Sequence, residues 1–250
     1  MTVTQTEIAF PTVDGRSLPG LLTLPDADGP RPALLMVYEI FGLNDEMGRV
    51  ARELAQEGWP VLIPDFLARG TKVLCVARAL RTMATGSGPE LDDLESARRW
   101  LAARPEVDGT RIGTVGFCLG GGFALLLAET GLYKVSAPFY GRTRDLTNAC
   151  PVVASFGGRD AETNRGYPEH LVESLERLGA PHDVVTYPEA GHSFMTRTPG
   201  LMGRLGRMLP IHAEYHEPSA RDAHRRIVAF FRAHLDAHPG AHLDGRPPVG

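Results

Sequence analysis

The residue whose surroundings point most clearly to chemistry is Cys118, which lies among glycines. Residues 116–121 read Gly-Phe-Cys-Leu-Gly-Gly and separate two apolar segments, 112–115 and 122–128. That order predicts a strand, a tight turn and a helix, the arrangement of a G-x-S-x-G nucleophile elbow with cysteine in place of serine. The glycines would relieve crowding at the strained turn, and the first amides of the helix would favour a thiolate and an oxyanion.

Two later loops carry the groups that a thiol nucleophile needs, a base and a residue that orients it. Asp160 follows the predicted strand 152–156, and His192 follows the predicted strand 183–187. Functional groups gather at the carboxyl ends of strands in an open parallel sheet, so we expect both side chains to meet Cys118. The order nucleophile, acid, histidine is that of α/β-hydrolases. Glu162 is an alternative to Asp160 as the orienting carboxylate.

A fourth group of residues follows the predicted strand 33–38, where the chain reads Tyr-Glu-Ile-Phe-Gly from Tyr38 to Gly42. The backbone N–H of Ile40 can pair there with the N–H of Leu119, the residue after the cysteine. Two such donors aimed at one point would form an oxyanion hole for a tetrahedral intermediate.

Four motifs together resemble the dienelactone hydrolase family: residues 39–42, 116–121, 158–160 and 191–194. The likeness extends from about Ala33 to Leu235. It implies a cysteine-dependent α/β-hydrolase that opens lactone esters such as dienelactone without a cofactor.

By the same resemblance, Cys118 would be the nucleophile, His192 the base and Asp160 the residue that orients the base. Glu39 would hold the resting thiol and take its proton when substrate arrives. A carboxylate beside a thiol discourages permanent thiolate formation, which would protect the cysteine from oxidation.

The family resemblance also implies arginines that bind a substrate carboxylate. Arg78 and Arg81 are both candidates for the first of them. The second usually stands four residues after the histidine, where this chain has Thr196, and the nearby arginine is Arg197.

Hydrophobic patterning predicts the elements that must position these residues. Short apolar runs predict strands, and apolar residues at helical spacing predict helices around 47–55, 91–101 and 167–178 and another from about Ser219, where Ser-Ala-Arg-Asp resembles a capping box. The predicted strands are 4–10, 18–24, 33–38, 59–63, 111–117, 135–140, 152–156 and 183–187. Their alternation with helices predicts an α/β-hydrolase fold, a mostly parallel sheet with helices on both faces.

Length and composition favour one α/β domain over residues 1–238, with residues 199–218 as a lid or extra loop and residues 239–250 as a flexible tail. The net charge of −4 and the lack of a basic tract argue against a nucleic-acid partner. No apolar run approaches the roughly 20 residues that span a bilayer, which argues against a membrane. The N-terminus lacks the features of a secretion signal, and we expect a cytoplasmic protein. The resemblance favours a monomer, with a dimer as the alternative.

Three cysteines are too few and too scattered for a disulfide framework or a zinc site. His212 and His216 stand four residues apart but lack the H-E-x-x-H pattern, so we name no metal.

These observations favour a hydrolase that opens a lactone or activated ester through a Cys-His-Asp triad and a thioester. A general carboxylesterase or thioesterase on the same scaffold is one alternative. A hydrolase fold that binds a small molecule without turning it over is the other, because fold alone does not fix function.

Overall fold

A computed structural model describes residues 1–197 and 208–236. Strands and helices alternate along most of this length, as the sequence predicts. The strands are β1 (Val3–Pro11), β2 (Ser17–Pro25), β3 (Arg31–Val37), β4 (Val61–Pro64), β5 (Val107–Phe117), β6 (Ser136–Phe139), β7 (Val152–Gly157) and β8 (His182–Tyr187). The helices are α1 (Asp45–Gln56), α2 (Lys72–Thr85), α3 (Pro89–Ala102), α4 (Leu119–Glu129), α5 (Tyr167–Leu178) and α6 (Glu217–His234).

The eight strands form one sheet in the order β1-β2-β4-β3-β5-β6-β7-β8. β1 and β2 pair antiparallel, and β2 pairs antiparallel with β4, whereas the strands from β4 to β8 across the sheet run parallel. The predicted mostly parallel sheet is therefore confirmed. Because parallel strands end at one edge, the loops after β3, β5, β6, β7 and β8 lie near one another.

The central strands contain buried apolar segments because helices cover both faces of the sheet. Residues 33–37 of β3 and 61–63 of β4 are fully buried. Helix α6 packs beside them, with the ring of Phe231 edge-on to Trp59 at 5.6 Å. This rigid layer fixes the strand ends that carry the functional side chains.

Two helices differ from the sequence prediction. Hydrophobic spacing did not mark α2, because its buried positions are small or polar (Cys75, Ala79 and Thr82) while Val73 and Leu74 are exposed. Helix α6 begins at Glu217, two residues before the predicted start.

The predicted capping box at the start of α6 is absent. Ser219 lies in the first turn, and its hydroxyl is hydrogen-bonded to Nδ1 of His216 at 2.8 Å, not to the backbone of the turn. Pro218 has a fixed φ that suits the first turn of a helix, which favours the earlier start.

Residues 199–207 of the predicted lid region and the predicted tail from 239 to 250 lie outside the described residues. Within 1–197 and 208–236, no helix combines the length and apolar character needed to cross a bilayer.

Candidate active site

Cys118 occupies the turn between β5, which ends at Phe117, and α4, which begins at Leu119. Its φ of 55° and ψ of −115° lie outside the regions that side-chain-bearing residues prefer, so the turn is strained. The neighbouring glycines make this turn sterically feasible. A Cβ on Gly116 would overlap the carbonyl of Gly120, and one on Gly121 would lie 2.6 Å from the carbonyl oxygen of Phe139. The predicted elbow is present.

Asp160 and His192 are joined directly. Nδ1 of His192 lies 2.6 Å from Oδ2 of Asp160, and both side chains are buried. The other oxygen of Asp160 accepts the backbone N–H of Glu162 at 2.9 Å, which fixes the carboxylate. The carboxylate of Glu162 instead faces Arg142, with 3.1 Å between Oε2 and Nε. Of the two carboxylates that the sequence offered, Asp160 is therefore the one that contacts the histidine.

His192 also forms a hydrogen bond with Cys118. Burial opposes a charge on the imidazole, but the hydrogen bond with Asp160 and the hydrogen bond and charge of Cys118 outweigh it, and the pKa of His192 is raised to about 10. The ring is packed against Tyr140 with 4.9 Å between centroids. The backbone N–H of His192 donates to the carbonyl of Ile211 at 2.8 Å. The structure thus brings together the cysteine, histidine and aspartate that the sequence predicted.

Glu39 lies two residues beyond β3 and is 4% exposed. Its Oε1 accepts hydrogen bonds from the hydroxyls of Tyr140 at 3.1 Å and Thr196 at 3.0 Å. A hydrogen bond between Glu39 and the Cys118 thiol is not among the contacts of the described residues. The predicted role of Glu39 as holder of the resting thiol stays a prediction.

Burial raises the pKa of the Glu39 carboxyl above its ordinary 4.5, although His192, Thr196 and Tyr140 each favour the charged form. Because the pKa is higher in the folded chain, the protonated carboxyl stabilises the fold below pH 4.5, and this contribution is lost as pH rises through the raised pKa. We therefore expect Glu39→Gln to raise the melting temperature by a few degrees at pH 8. The difference from the wild-type chain should shrink as pH falls towards 4.5.

Calorimetry between pH 4.5 and 8 measures this difference. Glu7→Gln, which removes an exposed carboxylate from β1, is the control and should show no such pH-dependent gain. A Glu39→Gln chain that melts below the wild type at pH 8 would mean that the charged carboxylate stabilises the fold.

Cys118 and His192 open into a pocket of about 180 Å³. Its wall is mainly apolar and comprises Ile40, Leu80, Met83, Leu119, Tyr140 and Ile211, with Arg142 and Glu162 as the charged members besides the histidine. Leu119 is the first residue of α4, so its N–H has no partner within the helix. Both residues predicted for the oxyanion hole, Ile40 and Leu119, therefore border the pocket that contains the thiol.

The three arginines predicted to bind a substrate carboxylate do not line this pocket. Arg78 forms an ion pair with Glu90, whose side chain is fully buried. Arg81 is exposed on α2.

The guanidinium of Arg197 stacks on the ring of Tyr215 at 4.6 Å. The backbone N–H of Arg197 donates to Oε1 of Glu46 at 2.8 Å. Thr196, one residue earlier, is buried and holds Glu39. The one-residue offset therefore directs the threonine towards the site and the arginine away from the thiol.

Sequence reasoning missed Tyr140 and Arg142, which both line the pocket. Tyr140 has a positive φ of 40°, and its hydroxyl reaches Glu39. Both residues follow β6 at the sheet edge where the triad residues lie. The rule that located Asp160 and His192 could have located them as well.

Fold and site together define the class of this protein, an α/β-hydrolase. The chain belongs to the dienelactone hydrolase family, whose model matches residues 18–235. It is accordingly an enzyme that hydrolyses ester bonds, and its substrate is a small-molecule ester or lactone.

Individual relatives agree with this membership. A Methylorubrum extorquens protein named "Putative carboxymethylenebutenolidase" is 28% identical over 90% of this chain and 80% of its own length. The crystal structure of a "Putative Dienelactone Hydrolase" from Klebsiella pneumoniae is 27% identical with a TM-score of 0.74, covering 92% of this chain and 99% of that one. A dienelactone hydrolase-like promiscuous phosphotriesterase from metagenomic libraries, at 23% identity, shares the fold with a TM-score of 0.79 over 94% of this chain and 100% of its own.

Proposed function

We propose that the chain hydrolyses activated carboxylic esters, enol lactones among them, through a thioester on Cys118. The observation that supports this most directly is the position of His192, which has Asp160 on Nδ1 at 2.6 Å and a hydrogen bond with Cys118. Asp160 occupies one ring nitrogen, which leaves Nε2 for the thiol. A nucleophile that contacts a base, which in turn contacts an orienting group, forms a catalytic triad.

In the first half of the reaction, His192 holds the proton of the Cys118 thiol while the sulfur attacks the ester carbonyl carbon and forms a C–S bond. The carbonyl oxygen takes the displaced electron pair, and the N–H groups of Ile40 and Leu119 stabilise its charge. When the tetrahedral intermediate collapses, the C–O bond to the leaving group breaks. His192 gives its proton to the departing oxygen. In a lactone the leaving oxygen stays attached to the acyl group, and the ring opens.

In the second half, water attacks the thioester carbonyl while His192 takes its proton. The C–S bond breaks, the acid leaves and the thiolate–imidazolium pair is restored. A thiolate is a better leaving group than an ordinary alkoxide, so attack on a simple alkyl ester tends to reverse before the C–O bond breaks. Enol and aryl esters, whose leaving groups are more stable, suit this nucleophile better.

A second candidate is a general esterase that acts on neutral esters. It is favoured by the apolar pocket wall and by Thr196, an uncharged residue, as the partner of Glu39. The arginines that would bind a carboxylate beside the carbonyl point elsewhere, as described above.

Three substrates separate these candidates: dienelactone, its neutral methyl ester and 4-nitrophenyl acetate. We expect the enzyme to hydrolyse all three, and to open the methyl ester at least as fast as the free acid, because Arg78, Arg81 and Arg197 do not line the pocket that contains Cys118. Steady-state kcat/KM values for the three provide the measurement.

A preference of tenfold or more for the free acid would instead identify a carboxylate-specific lactone hydrolase. Tight binding of all three without turnover would contradict the proposal and indicate a non-catalytic binding protein.

A further inference from the structure

A second, larger cavity of about 500 Å³ lies beside the pocket that contains Cys118. Leu80, Met83 and Arg142 border both spaces. Residues 142–145, in the loop after β6, form the opposite wall of the second cavity from α2. A ligand whose carbonyl group lies at Cys118 can therefore extend along α2 into this second space.

On the side of α2, the boundary between the two spaces is apolar and adaptable. Met83 lies so close to the backbone of α4 that a Cβ on Gly122 would overlap its sulfur. Methionine has a flexible, polarizable side chain that adjusts to the shape of a neighbour. With Leu80, it provides a surface on which an alkyl chain can lie.

The far wall of the second cavity carries two arginines with unused donors. Arg142 donates through Nε to Glu162, and its terminal nitrogens make no hydrogen bond with the described residues. For Arg144 the nearest carboxylate oxygen, Oε2 of Glu129, is 3.8 Å from Nε, beyond hydrogen-bond range. Oε1 of that glutamate is already occupied by Thr147. Both guanidinium groups can thus bind an added anion.

The other polar side chains of this wall are Asp145 and Thr143. Asp145 borders the cavity, but one of its oxygens lies 3.0 Å from Nε2 of His170. The hydroxyl of Thr143, between the two arginines in sequence, is buried and has no hydrogen-bond partner among the described residues. Because a buried hydroxyl ordinarily has a partner, an acceptor atom of a ligand would complete this wall.

We infer that the second cavity is a distal subsite for an anionic group of the substrate, separated from the scissile carbonyl by an apolar chain. Arg142 and Arg144 bind the anionic group, Thr143 donates a hydrogen bond to it, and the chain lies over Leu80 and Met83. A carboxylate and a phosphate monoester share this chemistry. The inference rests on the proposed function for the reaction at Cys118. It assigns the anion to residues other than Arg78, Arg81 and Arg197.

Two matched series of 4-nitrophenyl esters test the inference. One series consists of half-esters of linear dicarboxylic acids from glutaric to suberic acid, and the other of monocarboxylic esters of the same length. We expect the terminal carboxylate to raise kcat/KM by about tenfold or more at the lengths that reach the arginines. A series that ends in phosphate, at the same lengths, determines which anion is preferred.

The arginine variants locate the source of this preference. Arg144→Gln and Arg142→Gln should each reduce the ratio of carboxylate to neutral kcat/KM by about tenfold, and Arg144→Lys should restore part of it. Arg99→Gln removes an exposed arginine from α3 and should leave the ratio unchanged. A ratio near one at every length, or a preference lost with Arg81→Gln but not with Arg142→Gln or Arg144→Gln, would overturn the inference.

A binding measurement separates this inference from the proposed reaction. The 4-nitroanilides of the same acids are titrated calorimetrically into Cys118→Ala, with and without Arg144→Gln. We expect the carboxylate-ended anilide to bind about tenfold more tightly than its neutral counterpart, and the double variant to lose this difference. The same result in an enzyme that hydrolyses no ester would overturn the proposed function and leave the subsite standing. Equal affinities would overturn the subsite, whatever the activity.

Discussion

We expect Cys118→Ala to lower kcat by about 10⁴- to 10⁶-fold, the loss typical of removing the covalent nucleophile of a hydrolase. Alanine keeps the Cβ atom at the strained turn, and the glycines that make room for the turn are unchanged. The variant should therefore fold with a melting temperature close to that of the wild type. Steady-state hydrolysis of 4-nitrophenyl acetate measures the loss of activity.

Cys150 provides the matched control, since it is another free cysteine of the chain. Burial raises the pKa of its thiol to about 12, so it remains protonated and unreactive at neutral pH. Cys150→Ala should retain wild-type turnover, and rapid acetylation detected by mass spectrometry should occur at Cys118 in that variant. Turnover that survives in Cys118→Ala but is lost in Cys150→Ala would exclude the proposed nucleophile.

The strands were predictable because burial on both faces leaves a direct record in the sequence. Residues 33–37 of the central parallel strand β3 are buried and apolar, so a run of apolar residues marks this strand. Helix α2 carries the opposite pattern. It buries Cys75, Ala79 and Thr82 and exposes Val73 and Leu74, so hydrophobic spacing does not indicate which face packs.

The contact between Asp160 and His192 was predictable for a related reason. Each follows a parallel strand, and the common direction of the strands brings their loops to one edge of the sheet. The positions of the arginine side chains depend on loop conformation, which no comparable sequence pattern predicts. Arg197 and Thr196 differ by one position, yet one stacks on Tyr215 and the other bonds to Glu39.

The hydrogen-bond partners of Glu39 could not be predicted from the sequence either. Tyr140 contacts it because the chain turns through a positive φ immediately after β6. Such a backbone conformation is uncommon for a residue other than glycine, and no pattern in the sequence predicts it. The carboxylate itself was identified by the family motif, whereas its two hydroxyl partners come from distant loops.

His192→Gln should lower kcat/KM by about 10³- to 10⁵-fold, because glutamine can occupy the space beside Asp160 but cannot exchange a proton with Cys118 or the leaving group. The pH profile should change as well. With a pKa of about 10, the imidazole of the wild type remains protonated through neutral pH. Wild-type activity should therefore fall as pH rises through about 10, where the proton for the leaving group is lost. The residual activity of His192→Gln should lack that fall.

The same proton also affects stability, which gives a readout independent of turnover. The folded-state pKa of His192 lies above the ordinary 6.5, so its protonation stabilises the fold fully below pH 6.5, and this contribution is lost as pH rises through about 10. Chemical denaturation at pH 6 and pH 10 should show a larger alkaline loss in the wild type than in His192→Gln. His182→Gln, at the start of β8, should follow the wild type. Equal losses in the wild type and His192→Gln, with an unchanged activity profile, would mean that the imidazole is neutral and acts only by position.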